Sequence, residues 1–157
     1  MEPGDPVVVV DADGDPVDAD TVVEAYRARL FPMADSRDAP LRWYRPRVRA
    51  VVRLDAFRMP RSLAKTWRKA PYRLTIDTAC AQVIQACAEA RPTTWISHDV
   101  ERLYLDLHRR GRVHSVEAWR GDDLVGGLYG LDLGRIFCGE SLFHRADDAA
   151  KLCVVHL

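Results

Sequence analysis

At 157 residues, with 48% apolar and 29% charged side chains and zero net charge, the chain suits one globular domain, or one domain with a small appended lobe. No apolar run of about 18 residues occurs, so no membrane span is expected, and Val7–Val10 lacks the basic flank and the length of a signal segment. Four cysteines (Cys80, Cys87, Cys138, Cys153) without a C-x-x-C pair read as small buried hydrophobes of a reducing cytoplasm, and five scattered histidines show no H-E-x-x-H spacing, so neither a metal nor a cofactor is expected.

Residues 1–19 are rich in Asp, Gly and Pro around the valine run and read as an edge element or loose arm. Asp20 is placed to cap a helix to about Leu30, with Val22, Val23, Tyr26 and Leu30 on one side. Phe31-Pro32 stops it, because the residue before proline avoids the α region. Residues 33–46 read as a loop into a Trp43-Tyr44 edge, and Arg47–Leu54 alternates enough for a strand. Pro60 and Arg61 open a short helix to about Lys69. Tyr72–Ile76 reads as a strand, and Asp77 as the cap of a helix to about Ala90 with Cys80, Val83, Ile84 and Cys87 inward. The next helix, about Asp99–Arg110, buries Val100, Leu103, Tyr104 and Leu107 and stops at Gly111. Val113–Trp119, a hairpin at Arg120-Gly121-Asp122, and strands Leu124–Leu131 and Arg135–Cys138 about an Asp132-Leu133-Gly134 turn form an antiparallel meander. Ala149 starts a last helix that reaches Leu157. The order is α+β.

Zero net charge hides segregation. Residues 1–41 carry ten acidic and three basic side chains, whereas residues 42–73 carry eleven basic ones and a single acid, Asp55. Trp43, Tyr44, Trp67 and Tyr72 are interleaved with those cations, which suits either a polyanion footprint or a solvated face that answers the acidic N-terminus.

The densest signal is GGLYGLDLGRIFCGESLF, residues 126–143. Glycines weaken a strand unless a backbone or ligand approaches closely there. Glu140 sits between Gly139 and Ser141 among Ile136, Phe137, Leu142 and Phe143. On chemistry alone it is either a strand-end carboxylate in solvent or a carboxylate in an apolar wall that needs a cationic partner such as a substrate ammonium group.

GGLYG and IFCGESLF closely resemble motifs of the leucyl/phenylalanyl-tRNA–protein transferases. So do AYRARLFP (25–32), RKAPYRLTID (68–77), TTWIS (93–97) and GRVHSVEAWRGDDLVGG (111–127), in the same order. The resemblance covers roughly residues 14–157. It implies an acetyltransferase-like (GNAT-like) mixed sheet with flanking helices over residues 47–157, preceded by a small N-terminal lobe at 1–46, and a full-length form that is a cytoplasmic monomer. The activity implied is transfer of Leu or Phe from aminoacyl-tRNA to the N-terminal Arg or Lys of a protein, an N-degron mark for catabolism. By the resemblance, Leu128, Phe137 and Leu142 line the acyl pocket and Glu140 holds the amino group. Trp95, Met33 and Tyr104 meet the terminal adenosine, and Arg61, Lys65, Arg68, Lys69 and Arg73 meet acceptor-stem phosphates. Ordinary core packing is the alternative for the apolar residues, Trp95 and Tyr104. Acetyl-CoA is not expected, because no RxxGxG/A-like pyrophosphate loop joins a strand to a helix.

Departures from the family pattern are local. Its F-P-W motif reads Phe31-Pro32-Met33, its WxSPxPR block reads Trp43 to Arg49, and a family glycine before IFP is Arg29. The segment that carries the family's catalytic Asp and Gln has no counterpart up to Leu157, so no catalytic residue is assigned. This leads to an expectation of a C-terminally shortened fold, with Leu152, Val154, Val155 and Leu157 uncovered. The alternatives are an aminoacyl-tRNA-binding remnant without catalysis and a transferase with a small-molecule acceptor.

Overall fold

In the computed structural model, which describes residues 9–157, the chain opens on a ribbon in which β1 (Val9–Val10) pairs with β2 (Pro16–Val17). Val7 and Val8 of the expected valine strand lie outside the described residues. Helix α1 (Ala19–Arg27) is capped by Asp18, whose carboxylate accepts from the Thr21 amide at 2.7 Å. Asp20, the expected cap, falls inside the first turn, where its charge still favours the helix N-terminus. The helix ends at Arg27, short of Leu30, and Arg29 turns the chain at φ 67°. Phe31-Pro32 does more than stop it: β3 (Phe31–Met33) pairs with β4 (Arg42–Tyr44), Phe31 opposite Tyr44. Proline is tolerated on such a two-stranded ribbon, where one N–H is free to be missing.

The expected strand at Arg47–Leu54 does not form. The only regular piece there is a 3-10 turn at Leu54–Ala56, and Val48, Val51 and Leu54 are 87%, 80% and 90% exposed. Alternation of Val and Arg suits a strand locally, but without a neighbouring strand the backbone groups keep water instead.

Helix α2 (Arg61–Lys69) follows Pro60 as expected, and β5 (Arg73–Ile76) comes next. Helix α3 (Cys80–Glu89) is not capped by Asp77, which adopts φ 57° and turns its carboxylate to the Ser115 amide (2.9 Å) and His114 Nδ1 (2.7 Å). The start of α3 is held instead by fully buried Glu117, which accepts from the Ala79 amide at 3.3 Å and from the hydroxyls of Thr75, Thr78 and Ser115. Four donors make that burial tolerable without a cation. Helix α4 (His98–Arg109), capped by Ser97, buries Val100, Leu103, Tyr104 and Leu107 and ends at Gly111 with φ 67°, in agreement with the sequence.

β6 (Val113–Arg120), β7 (Asp123–Asp132) and β8 (Phe137–His144) extend β5 into a sheet of order β5-β6-β7-β8, antiparallel throughout rather than mixed. β8 lies later than the expected Arg135–Cys138, because residues 133–136 form the turn: the Leu133 amide donates to Ile136 O, the Gly134 amide to the Asp132 side chain, and Gly134 sits at φ 86°. Glu140 therefore lies within the strand. Last comes α5 (Ala149–His156). Among the described residues no helix is long and apolar enough to cross a membrane.

The glycine pair on β7 sets helices close on both faces. A Cβ on Gly126 would lie 2.6 Å from Ala149 Cβ of α5, whereas one on Gly127 would lie 3.0 Å from Val83 Cγ2 of α3. The main core joins α1, α3 and α4 with Val9, Val17, Leu41, Tyr129, Leu131 and Phe143, so the N-terminal elements share it. A smaller core under α5 gathers Val116, Ala118, Val125, Leu128, Ala149 and Cys153. Leu152, expected to be uncovered, is buried, whereas Val154 and Leu157 are exposed. Cys80, Cys87 and Cys153 are buried free thiols, and Cys138 is half-buried.

Candidate functional site

The pairing of β7 with β8 slips at one point. Tyr129 faces Ser141 and Gly130 faces Gly139, which leaves Glu140 between them without a partner. Such a β-bulge re-aims the extra side chain. Here Glu140 turns to the α1/α4 side, toward the Tyr26 and Tyr104 hydroxyls, and its charge is also felt by Tyr129. The Tyr26 and Tyr104 hydroxyls are hydrogen-bonded to each other at 2.6 Å, and the Tyr104 and Tyr129 rings meet edge to face at 5.4 Å.

Glu140 as a residue keeps some exposure, but its Oε1 is shut off from solvent and has no hydrogen-bond partner; the buried Tyr129 hydroxyl has none either. No Lys, Arg or His forms an ion pair with Glu140 among the described residues. Burial pushes its carboxyl up to about 7, against the pull of the nearby Tyr26 and Tyr104 hydroxyls and the Arg49 guanidinium. Arg49 is itself stacked over the Phe31 ring at 4.6 Å. Burial first, and the Glu140 charge next, hold Tyr26, Tyr104 and Tyr129 well above the usual phenol range, so all three stay neutral hydroxyls. A buried carboxylate with an orphaned oxygen, tyrosine hydroxyls beside it and no ion-pair partner among the described residues can accept an N–H from a small cation.

The other expected site residues fall into three groups. Leu128 is buried beneath α5 and pairs across the strands with half-exposed Leu142. Phe137 packs against the same small core, its ring over Gly130, where a Cβ would meet it at 2.5 Å. Leu142, His144, Asp147, Ala150 and Val154 line an open groove of about 500 Å³. These apolar residues lie on the α5 face and Glu140 on the opposite one, with Phe137, Glu140 and Leu142 all carried on β8, an outer strand of the described sheet.

Met33 and Trp95 are brought together, because the Ala34 amide donates to Trp95 O at 3.1 Å and Arg37 ties to Ile96 O at 2.8 Å. Trp95 packs partly buried on the main core. Tyr104 has no exposed surface and belongs to the Glu140 cluster.

Arg61, Lys65 and Arg68 form an exposed line at i, i+4 and i+7 of α2, continued by Lys69 and Arg73. None of the five is in an ion pair with a described residue. Arg73 lies over the Trp119 ring at 5.3 Å. The opposite side of α2 buries Leu63 and is tied to α5 by Thr66 Oγ1 donating to Asp148 (3.1 Å) and by Trp67 against His156, so the basic line points away from α5.

Sequence reasoning did not single out Tyr26, Tyr129 or Arg49 for this site. Tyr26 carried the signal of a helix core position, Tyr129 that of a residue in a glycine-rich strand, and Arg49 that of one cation among eleven.

The family model described as leucyl/phenylalanyl-tRNA protein transferase matches residues 51–157, and the model for that family's N-terminal domain matches residues 15–47. A leucyl/phenylalanyl-tRNA–protein transferase of Nitrobacter winogradskyi is 49% identical over 140 residues, covering 87% of this chain and 62% of the relative. The chain thus spans somewhat less than two thirds of that relative's length.

Proposed function

The chain belongs to the leucyl/phenylalanyl-tRNA–protein transferase family, and from that premise we propose that it acts in moving Leu or Phe from aminoacyl-tRNA to the N-terminal Arg or Lys of a protein, marking it as an N-degron. The observation that carries this reading to particular residues is the bulged Glu140, with its shielded, unpartnered oxygen among three neutral tyrosines. An aminoacyl ester presents one small cation, its α-ammonium group, and Glu140 Oε1 accepts an N–H from it.

With the ammonium on Glu140 at the β8 edge, the Leu or Phe side chain lies toward Leu128, Phe137 and Leu142 on the α5 face. Trp95 gives the terminal adenine an aromatic face, with Met33 as a softer second contact, and Tyr104 acts through Glu140. Stacking of a base on an aromatic ring contributes about 1–3 kcal/mol. Arg61, Lys65, Arg68, Lys69 and Arg73 follow the acceptor-stem phosphates, a contact that positions without reading sequence. In the reaction the acceptor amine attacks the ester carbonyl; a peptide bond forms, the ester C–O bond breaks, and the amine proton ends on the released tRNA hydroxyl. No residue of this sequence is assigned to that proton transfer. The division into a lobe at 1–46 and an acetyltransferase-like domain from 47, working as a cytoplasmic monomer without acetyl-CoA, belongs to the same proposal.

Glu140→Gln tests it. The variant keeps the side-chain shape and removes the charge, so leucine transfer by the enzyme falls at least tenfold while affinity for uncharged tRNA stays within about twofold. Unchanged transfer returns Glu140 to a structural role. If the chain binds a free-amine leucyl-tRNA mimic through Glu140 yet transfers nothing, the binding-module alternative is the right one.

A further inference from the structure

Two buried polar atoms of this site lack partners, and only one of them, Glu140 Oε1, is used above. The other is the hydroxyl of Tyr129, a residue with no exposed surface. A buried hydroxyl without a hydrogen bond is a standing cost to the folded state, and phenylalanine would fill the same space without it. Tyr129 stands opposite Ser141, beside the bulge that aims Glu140, and its ring is fixed edge to face against Tyr104 at 5.4 Å. Tyr104 in turn spends its hydroxyl on Tyr26 at 2.6 Å. The Tyr129 ring is thus held by packing in the same core as Tyr26 and Tyr104, its hydroxyl stays free, and it feels the Glu140 charge. A neutral phenol can accept a hydrogen bond as well as donate one.

We propose that Tyr129 is a positioning residue of the Glu140 site: its hydroxyl oxygen accepts one N–H of the substrate's α-ammonium group while Glu140 Oε1 accepts another, so that the site selects a free α-amine over an N-acylated one. This rests on the reading of Glu140 given above and adds a second, uncharged arm to it. An ammonium group carries three N–H donors and satisfies both orphans at once. An N-acyl amide has one N–H, no charge and a bulky carbonyl, and leaves at least one orphan unmet. The discrimination therefore comes from the unpaired buried groups left behind by the wrong ligand.

The test compares an amide-linked leucyl-tRNA mimic bearing a free α-amine with its N-acetylated form, by titration against the 157-residue chain, Tyr129→Phe and Glu140→Gln. The parent prefers the free amine. Tyr129→Phe lowers that preference about tenfold, the size of one hydrogen bond to a charged group, and leaves affinity for uncharged tRNA unchanged. Its unfolding midpoint equals or exceeds the parent's, because the variant sheds an unpartnered hydroxyl. A preference unchanged in Tyr129→Phe but lost in Glu140→Gln overturns the role of Tyr129 and leaves the Glu140 reading standing; a preference unchanged in both overturns the Glu140 reading as well. A midpoint below the parent's also overturns the proposal, since the hydroxyl would then be holding the fold.

Discussion

Glu140 links stability and ligand binding through one proton, and the two respond to pH with opposite signs. Its carboxyl moves from an ordinary value of 4.5 to about 7 on folding, chiefly through burial. The folded state therefore keeps the proton to higher pH than the unfolded chain does. Stability that is fully present below about pH 4.5 is lost as pH rises toward 7 and changes little above it. At about 1.4 kcal/mol for each tenfold change in proton affinity, the whole window is worth about 3 kcal/mol. Urea unfolding of the parent and Glu140→Gln from pH 4.5 to 8 isolates this one group: the stability of the parent relative to the variant falls by about 3 kcal/mol across the window. An ammonium ligand needs the ionised carboxylate, so affinity for a leucyl-adenosine amide rises about fivefold from pH 6 to pH 7 and by less than about twofold more to pH 8. Parallel pH curves for parent and variant would refute the reasoning, because Glu140 would then be as well solvated folded as unfolded.

If the exposed cations of α2 meet phosphates, the log–log salt dependence of tRNA binding has a slope of about −0.9 per neutralised duplex phosphate. Replacing Arg68 and Lys69 together by Ala reduces that slope by about 2, and equal slopes would remove the footprint from α2. Gly126→Ala puts a methyl group 2.6 Å from Ala149 Cβ and 3.0 Å from backbone atoms of α5, which lowers stability by about 1–3 kcal/mol in chemical denaturation. Gly139→Ala has nothing within 4 Å of the new methyl group and changes stability by less than about 0.5 kcal/mol; equal effects of the two substitutions would contradict the close approach of α5.

Much of the fold was readable because its signals are local. Helix α4 shows its inward stripe, its polar start and its Gly111 stop within fourteen consecutive residues, and the structure follows them. Arg47–Leu54 shows the opposite case: alternation there matches a strand, but pairing is a property of what lies alongside, and no strand among the described residues pairs with it. Asp77 was read as a cap from its place before a helix, whereas a positive φ turns its carboxylate to β6 and lets distant Glu117 hold the helix start. For the site, Glu140 was singled out by the resemblance of its motif, whereas the apolar residues around it left a solvent-facing carboxylate equally open. The sequence could not disclose which face the side chain takes, since period-two alternation fails at a bulge and the bulge exists only in the register with β7. Tyr26, Tyr104 and Tyr129 come from three separate elements, each with a core position of its own, and only the tertiary fold joins them.

The most direct measurement is a crystal structure of the chain with a leucyl-adenosine amide carrying a free α-amine. The account predicts the ammonium nitrogen within about 3 Å of Glu140 Oε1, the leucyl side chain turned to Leu142, and the adenine on Trp95. A ligand whose ammonium faces solvent or another carboxylate, with Glu140 Oε1 still unpartnered, would contradict it.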